Sequence, residues 1–88
     1  MKIKGEYVLR EIAGDYILIP IGKTALEMNG MITMDEVGVT IWKGIQQDLD
    51  PEEILSTILD TYEVEEKEAR KDMEEFFEKL LNAGMVEH

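Results

Sequence analysis

The chain has 88 residues, a formal net charge of −11 and no cysteine. A chain of this length forms one domain with one modest hydrophobic core, so we expect a single domain over residues 1–88. The lack of cysteine excludes a disulfide framework and thiol chemistry, and no apolar run resembles a signal peptide or a transmembrane helix. We therefore expect a cytoplasmic protein with no membrane segment.

The charge is unevenly distributed along the sequence. Residues 1–34 carry four Lys or Arg and four Asp or Glu residues, which cancel, so the whole net charge of −11 belongs to residues 35–88. Binding to a phosphate backbone depends on Lys and Arg side chains that neutralise phosphates. The acidic second part of the chain therefore argues against nucleic acid as a partner.

The first third of the sequence has the composition of β-strands. Tyr7–Ile12 and Asp15–Pro20 are rich in β-branched and aromatic residues, and Ala13-Gly14 between them suits a two-residue hairpin turn. Asn29-Gly30 is a second such turn signal, because this pair tolerates the positive φ angles of a type I′ turn. It predicts that residues 25–28 pair with a strand over residues 31–34.

A first helix follows directly. Apolar residues recur at helical spacing from about Glu36 to Gln46, and Asp35 is placed to accept hydrogen bonds from the amides of the first turn. Gly38 lies inside this helix, where glycine costs about 1 kcal/mol relative to alanine. We interpret Gly38 as a point where another backbone approaches closely.

Two further helices complete the chain. The run Asp50-Pro51-Glu52-Glu53 is typical of a helix start, and this second helix extends to about Thr61. The third begins at Glu65 or Glu66, ends before Gly84, and is followed by a short apolar tail. The sequence thus predicts an α+β, winged-helix-like fold, with a small N-terminal antiparallel sheet of about three strands followed by a three-helix bundle.

Few residues could support catalysis. The single histidine is the terminal His88 and the single serine, Ser56, falls in the middle of the second helix, so no nucleophile and base can be paired in the usual way. Neighbouring carboxylates fall where solvated helix faces are expected. Calcium-loop and phosphate-loop motifs are absent. We expect a protein that is not an enzyme and that uses no metal ion and no cofactor.

Two features favour a binding surface instead. Met28, Met31 and Met34 cluster at the proposed strand, and methionine adapts to varied partners, although ordinary core filling is the alternative. The apolar face of the third helix is wider than one neighbouring layer needs. One margin holds Phe77 beside Arg70 and Glu74, and the other holds Phe76 beside Asp72 and Lys79. Either both aromatic residues are core, or one margin walls a groove whose floor is the 31–34 strand.

The order of these elements resembles the PqqD-like family. The resemblance runs from about Tyr7 to Val86, and four stretches carry it: TMDEVGVTIW, DPEEI, YEV followed by EA, and DMEEFFEKL followed by AGMV. Two departures are Asp35, where the family more often has Asn, and the segment 22–30, which is longer than in many members. The second departure leaves the number of strands open.

The resemblance implies a function. Members of this family, also called RiPP recognition elements, bind the leader segment of a ribosomally made precursor peptide and present it to a modifying enzyme, often a radical S-adenosylmethionine protein. The leader adds as a strand beside the last strand of the sheet and packs against the third helix. On this sequence the implied peptide-binding residues are Met31, Ile32 and Thr33 at the edge, and Arg70, Met73, Glu74 and Phe77 on the groove wall.

The remaining expectations concern partners. The acidic helices predict that the leader or the enzyme presents basic residues. We expect a monomer or a weak dimer. One alternative is a winged-helix nucleic-acid-binding module, or a regulatory module derived from one. The lack of a basic face on the helices disfavours this alternative. Another is a structural subunit that docks on an enzyme and contacts no peptide.

Overall fold

A computed structural model describes residues 1–27 and 31–88 and has the predicted α+β architecture. An antiparallel sheet comes first and three long helices follow. The elements are β1 (Lys2–Ile3), β2 (Tyr7–Ile12), β3 (Asp15–Pro20), α1 (Lys23–Glu27), β4 (Ile32–Met34), α2 (Glu36–Gln46), α3 (Pro51–Thr61), α4 (Glu66–Asn82) and β5 (Val86–Glu87). The predicted winged-helix-like class, a three-stranded sheet with a helical bundle, is confirmed.

The three-stranded sheet has the order β2-β3-β4 and is antiparallel throughout. The β2–β3 hairpin turns through Ala13 and Gly14, whose φ angles of 53° and 88° are those required by a type I′ turn. Ile17 pairs with Thr33, so β4 lies antiparallel to β3. Because side chains alternate along a strand, Ile32 and Met34 face the core and Thr33 faces away from it.

The predicted second hairpin is wrong in the part that the structure describes. Residues 25–27 belong to α1, and β4 pairs with β3 instead. Met28, Asn29 and Gly30 lie outside the described residues. Lys, Ala, Leu and Glu favour helix, so the local propensity of Lys23–Glu27 outweighs the hairpin signal that follows it.

A second, two-stranded sheet joins the two ends of the chain. Ile3 pairs with Val86, and the amide of Lys4 donates to the carbonyl of Met85 over 2.8 Å. Val86 is buried, so the predicted apolar tail is a strand that closes the core. Strands of two residues show no sequence periodicity, and pairing over such a distance leaves no local signal.

The long helices begin as their sequences predict. Asp35 caps α2, its Oδ1 accepting from the amide of Gly38 over 2.9 Å. Asp50 caps α3 in a capping box, in which its carboxylate accepts from the amide of Glu53 over 2.8 Å and Glu53 accepts in return over 3.3 Å. These bonds satisfy amides that the first helical turn leaves free, which fixes where each helix begins.

Trp42 lies in the centre of the core. Its side chain is 1% exposed, and its ring meets the ring of Tyr7 edge to face, with centroids 5.5 Å apart. This contact packs β2 against α2. The buried apolar residues around it come from most of the longer elements and from the C-terminal strand: Leu18, Met34, Val39, Ile41, Ile45, Ile54, Leu55, Ile58, Ala69, Met73, Phe77, Leu80, Met85 and Val86.

Candidate functional site

The open side of β4 is the first component of the candidate site. β3 pairs with one side of β4, and within residues 1–27 and 31–88 no strand pairs with the other side. Thr33 is exposed, Ile32 is half-buried, and Met31, directly before the strand, is 63% exposed. Amides of an edge strand point alternately toward and away from the paired neighbour, so β4 presents unpaired backbone groups. Met31, Ile32 and Thr33 therefore lie at an edge, as the sequence predicts.

A groove runs beside this edge. It consists of two adjoining cavities of about 340 Å³ and 540 Å³ that share Asp35, Phe76 and Lys79. The first cavity extends between α2 and α4, and the second passes along β4 toward the β2–β3 turn. We call the two together the edge groove. Its lining residues are Gly14, Asp15, Tyr16, Thr33, Met34, Asp35, Glu36, Val37, Gly38, Ile41, Asp72, Glu75, Phe76 and Lys79.

One stripe of α4 forms the helical wall of the edge groove. Asp72, Phe76 and Lys79 are separated by four and three residues, a spacing that places side chains on one helix face. Phe76 is half-buried and packs against the core with part of its ring. The wall therefore has an aromatic centre between charged groups.

Gly38 lets the floor of the edge groove pack closely. A Cβ at this position would lie 2.9 Å from the Cβ of Met34 and 3.5 Å from Cε1 of Phe76. The close neighbours are thus side chains of β4 and α4, and our interpretation of a neighbouring backbone is wrong. Glycine here allows α2 to pack closely against both β4 and α4.

The wall residues that the family resemblance implied do not line the edge groove. Met73 is 1% exposed and Phe77 is 9% exposed, and both are part of the core. Arg70 points to α3, where it pairs with Glu52. Glu74 is exposed and does not line the groove. The margin that borders β4 is the one with Asp72, Phe76 and Lys79, together with Glu75.

Sequence reasoning found both margins of α4 but could not choose between them. The helical period places Phe76 and Phe77 on opposite sides of one apolar stripe. Only the packing of α4 on α2 and α3 decides which side faces the sheet. The sequence did not single out Phe76, because each margin carries an acidic and a basic residue beside its aromatic residue.

The edge groove is strongly acidic. Among the described lining residues, Lys79 has the one positively charged side chain. Five carboxylates line the groove, those of Asp15, Asp35, Glu36, Asp72 and Glu75. The charge of Glu11, with partial desolvation and the charge of Glu36, raises the pKa of the Tyr16 phenol at the sheet end of the groove. The field at this end therefore disfavours further negative charge.

An ion pair fixes the other margin of α4. Both guanidinium nitrogens of Arg70 donate to the carboxylate of Glu52, over 2.7 Å and 3.2 Å. This bidentate pair links α4 to α3. The hydrogen bonds and the charge of Arg70 lower the pKa of Glu52, and Glu52 in turn raises the pKa of Arg70. Arg70 thus has a structural partner on the side away from β4.

We expect Glu52→Gln to lower the melting temperature slightly at neutral pH, because it removes this pair. A depressed pKa in the folded state adds stability above the ordinary value of 4.5, and that stability is lost as the pH falls through the folded pKa. The difference between wild type and Glu52→Gln should therefore shrink below about pH 4.5 and also in high salt. Calorimetry across pH measures it. Glu63→Gln, the same charge change at an exposed site, is the control, and an equal loss there would contradict the role of the pair.

The described residues contain neither a metal cluster nor a membrane span. No group of three or more His, Cys, Asp or Glu side chains within residues 1–27 and 31–88 is arranged to hold a metal ion. No helix in the same part of the chain is long and apolar enough to cross a membrane.

An open strand edge beside a groove defines this molecule as a small α+β domain with the architecture of a binding module. Its sequence matches the family described as "Coenzyme PQQ synthesis protein D (PqqD)" over residues 6–86. The chain belongs to this family, and the predicted membership is confirmed. No curated protein matches the sequence.

Solved structures share the fold over nearly the whole chain. One is TbiB1 in complex with the TbiA(beta) leader peptide, with a TM-score of 0.76 and 26% sequence identity, covering 99% of this chain and 95% of that one. Another is lasso peptide synthetase B1 complexed with the leader peptide, with a TM-score of 0.77 and 15% identity, covering 99% and 96%. The second shows likeness of fold alone.

Proposed function

We propose that this domain binds the leader segment of a ribosomally synthesised precursor peptide by β-strand addition and presents it to a modifying enzyme. The observation that carries the proposal is the open edge of β4 beside the edge groove. Membership of the PqqD family and the likeness to TbiB1, which was solved with a leader peptide, support it.

The chemistry of strand addition fits this edge. A peptide that pairs with an open strand gains main-chain hydrogen bonds, and pockets for alternate side chains provide selectivity. An unpaired edge that carries apolar residues is otherwise a site of aggregation, as Ile32 and the exposed Met31 would be. A partner that pairs with β4 removes this liability.

The edge groove gives the added strand a place for its side chains. The new strand would lie about 4.8 Å from β4. Residues whose side chains point the same way as Ile32 and Met34 would enter the edge groove and meet Phe76, which is half-buried and accessible from this side. Residues of the opposite parity would continue the outer face that includes Thr33. The peptide-binding residues we now propose are Met31, Ile32 and Thr33 at the edge and Phe76 on the wall.

The role we propose is binding without catalysis and without a metal ion or cofactor. The modifying enzyme supplies the chemistry, and the family resemblance favours a radical S-adenosylmethionine enzyme in this role. We propose that the domain acts in the cytoplasm as a monomer or a weak dimer. The alternative of nucleic-acid binding receives little support, because α3 contains no Lys or Arg and residues 35–88 carry the whole net charge of −11.

Selection from a displayed library of random peptides of about a dozen residues tests the proposal and does not require the sequence of the precursor. We expect enriched peptides to protect backbone amides of Ile32–Met34 from hydrogen exchange, measured by NMR, because those that face the open edge become hydrogen-bonded. Lys2–Ile3, in the other sheet, is the internal control. Peptides that bind and leave β4 unprotected would refute strand addition at this edge.

A further inference from the structure

We propose that the edge groove selects leader segments that place a basic side chain close to an apolar one, the basic group against Asp72 and Glu75 and the apolar group against Phe76. This inference rests on the proposed function and names the chemical class of its peptide. Three independent features carry it: the open strand edge, the cavity beside it and the charges that line that cavity.

The charges of the edge groove are concentrated and unneutralised. Asp72 and Glu75 are exposed, line the first cavity of the edge groove between α2 and α4, and form no ion pair with any described residue. Lys79, one turn beyond Glu75 on the same helix, is likewise not within ion-pair distance of a described carboxylate. By contrast, Glu52 on α3 is paired with Arg70 on the far margin of α4. The carboxylates that a peptide meets are thus available for a partner.

The spacing of the wall suits two neighbouring inward residues of a strand. Asp72 and Phe76 are four residues apart, about 6 Å along the helix axis. Side chains on one face of a strand repeat every two residues, about 6.7 Å. An added strand can therefore contact Phe76 with one inward side chain and reach Asp72 with the next, while Glu75 lies beside Phe76 on the same wall. The expected motif is an apolar or aromatic residue with Lys or Arg two positions away.

The long stems of Lys and Arg fit the same surface. Their methylene groups can cover Val37 and Ile41, which line the first cavity, while the charged head reaches the carboxylates at the rim. An acidic residue in this place would meet five carboxylates and a single ammonium group among the described lining residues. Charge repulsion then works against such leaders.

The test compares peptides selected by three full-length proteins: wild type, Asp72→Lys/Glu75→Lys and Glu63→Lys/Glu78→Lys. The third is the matched control, because Glu63 and Glu78 are exposed and do not line the edge groove. Both double variants change the net charge equally. Circular dichroism confirms that each variant is folded before selection.

We expect wild type and the control to enrich Lys or Arg two positions from an apolar residue, and the groove variant to enrich Asp or Glu at that position. A synthetic wild-type-selected peptide should bind the groove variant about tenfold more weakly than the control in about 0.02 M salt, with the gap narrowing in about 0.5 M salt. Lys79→Glu should bind that peptide more tightly than wild type.

The outcomes separate this inference from the function on which it rests. Peptides that protect β4 amides but show no basic preference, or an equal loss in both double variants, would overturn the charge selection and leave strand addition standing. Peptides that leave β4 unprotected would overturn strand addition itself. A basic preference that vanishes only in the groove variant supports both.

Discussion

One of two neighbouring proline substitutions, Ile32→Pro or Thr33→Pro, should leave the domain folded and reduce peptide binding at least about tenfold. Successive amides of β4 point in opposite directions, one toward β3 and one toward the open edge. Proline at the β3-facing position removes a ladder hydrogen bond and should destabilise the sheet. At the other position the lost amide faces solvent, where edge strands tolerate proline.

The variant that keeps its wild-type urea midpoint identifies the outward-facing amide. That variant lacks a main-chain donor that strand addition needs, and its ring obstructs the approach of the peptide. Binding is measured by titration with a library-selected peptide. Ile32→Val and Thr33→Val, which keep the amide and a β-branched shape, are the controls and should bind within about twofold of wild type. Undiminished binding by the folded proline variant would exclude β4 as the site of addition.

Trp42→Ala should cause the largest loss of stability, about 3–5 kcal/mol of unfolding free energy. Trp42 is 1% exposed and joins the sheet to the helices through its edge-to-face contact with Tyr7. Removal of the indole leaves a cavity that the surrounding elements can only partly close. Since a small domain has a total stability of about 5 kcal/mol or somewhat more, the variant should keep only a small part of the wild-type stability at 25 °C.

Urea unfolding followed by far-ultraviolet circular dichroism measures this loss, because the substitution removes the tryptophan fluorescence. Trp42→Phe should lose less, since the buried indole Nε1 has no hydrogen-bond partner among the described residues and phenylalanine keeps an aromatic ring. Leu26→Ala is the surface control. Leu26 is 88% exposed, so its truncation should change stability by less than about 0.5 kcal/mol. A comparable loss in the Leu26 variant would contradict a central role for Trp42.

Much of the fold could be predicted because its signals are local. Asp35 and Asp50 cap helices through side chains that reach amides three residues ahead. The turn at Ala13-Gly14 likewise needs only two residues with positive φ. Helix and hairpin bounds therefore follow from contacts within a few positions. The predicted strand over residues 25–28 was wrong, in its described part, because two local signals compete there. The helix propensity of α1 outweighs the turn signal that follows it.

The candidate site was only half predictable. Its edge, at Ile32 and Thr33, was implied by the family resemblance, and the pairing of β4 with β3 leaves the other side of that strand open. Its wall depends on how α4 is rotated about its own axis. Met73 and Phe77 are buried because α2 and α3 lie on that side, and this rotation turns Phe76 toward β4. No residue within α4 encodes the choice.

The sequence by itself determined the caps of α2 and α3, the lengths of the three long helices, the β2–β3 hairpin, the family and the strongly acidic charge. The tertiary structure alone decided that β4 pairs with β3, that Lys2–Ile3 and Val86–Glu87 close the chain, and that Phe76 borders the open edge. The division has a physical reason. Caps, turns and periodicity arise from residues within one or two turns, whereas strand order and helix rotation are set by which arrangement of all elements buries the most apolar surface.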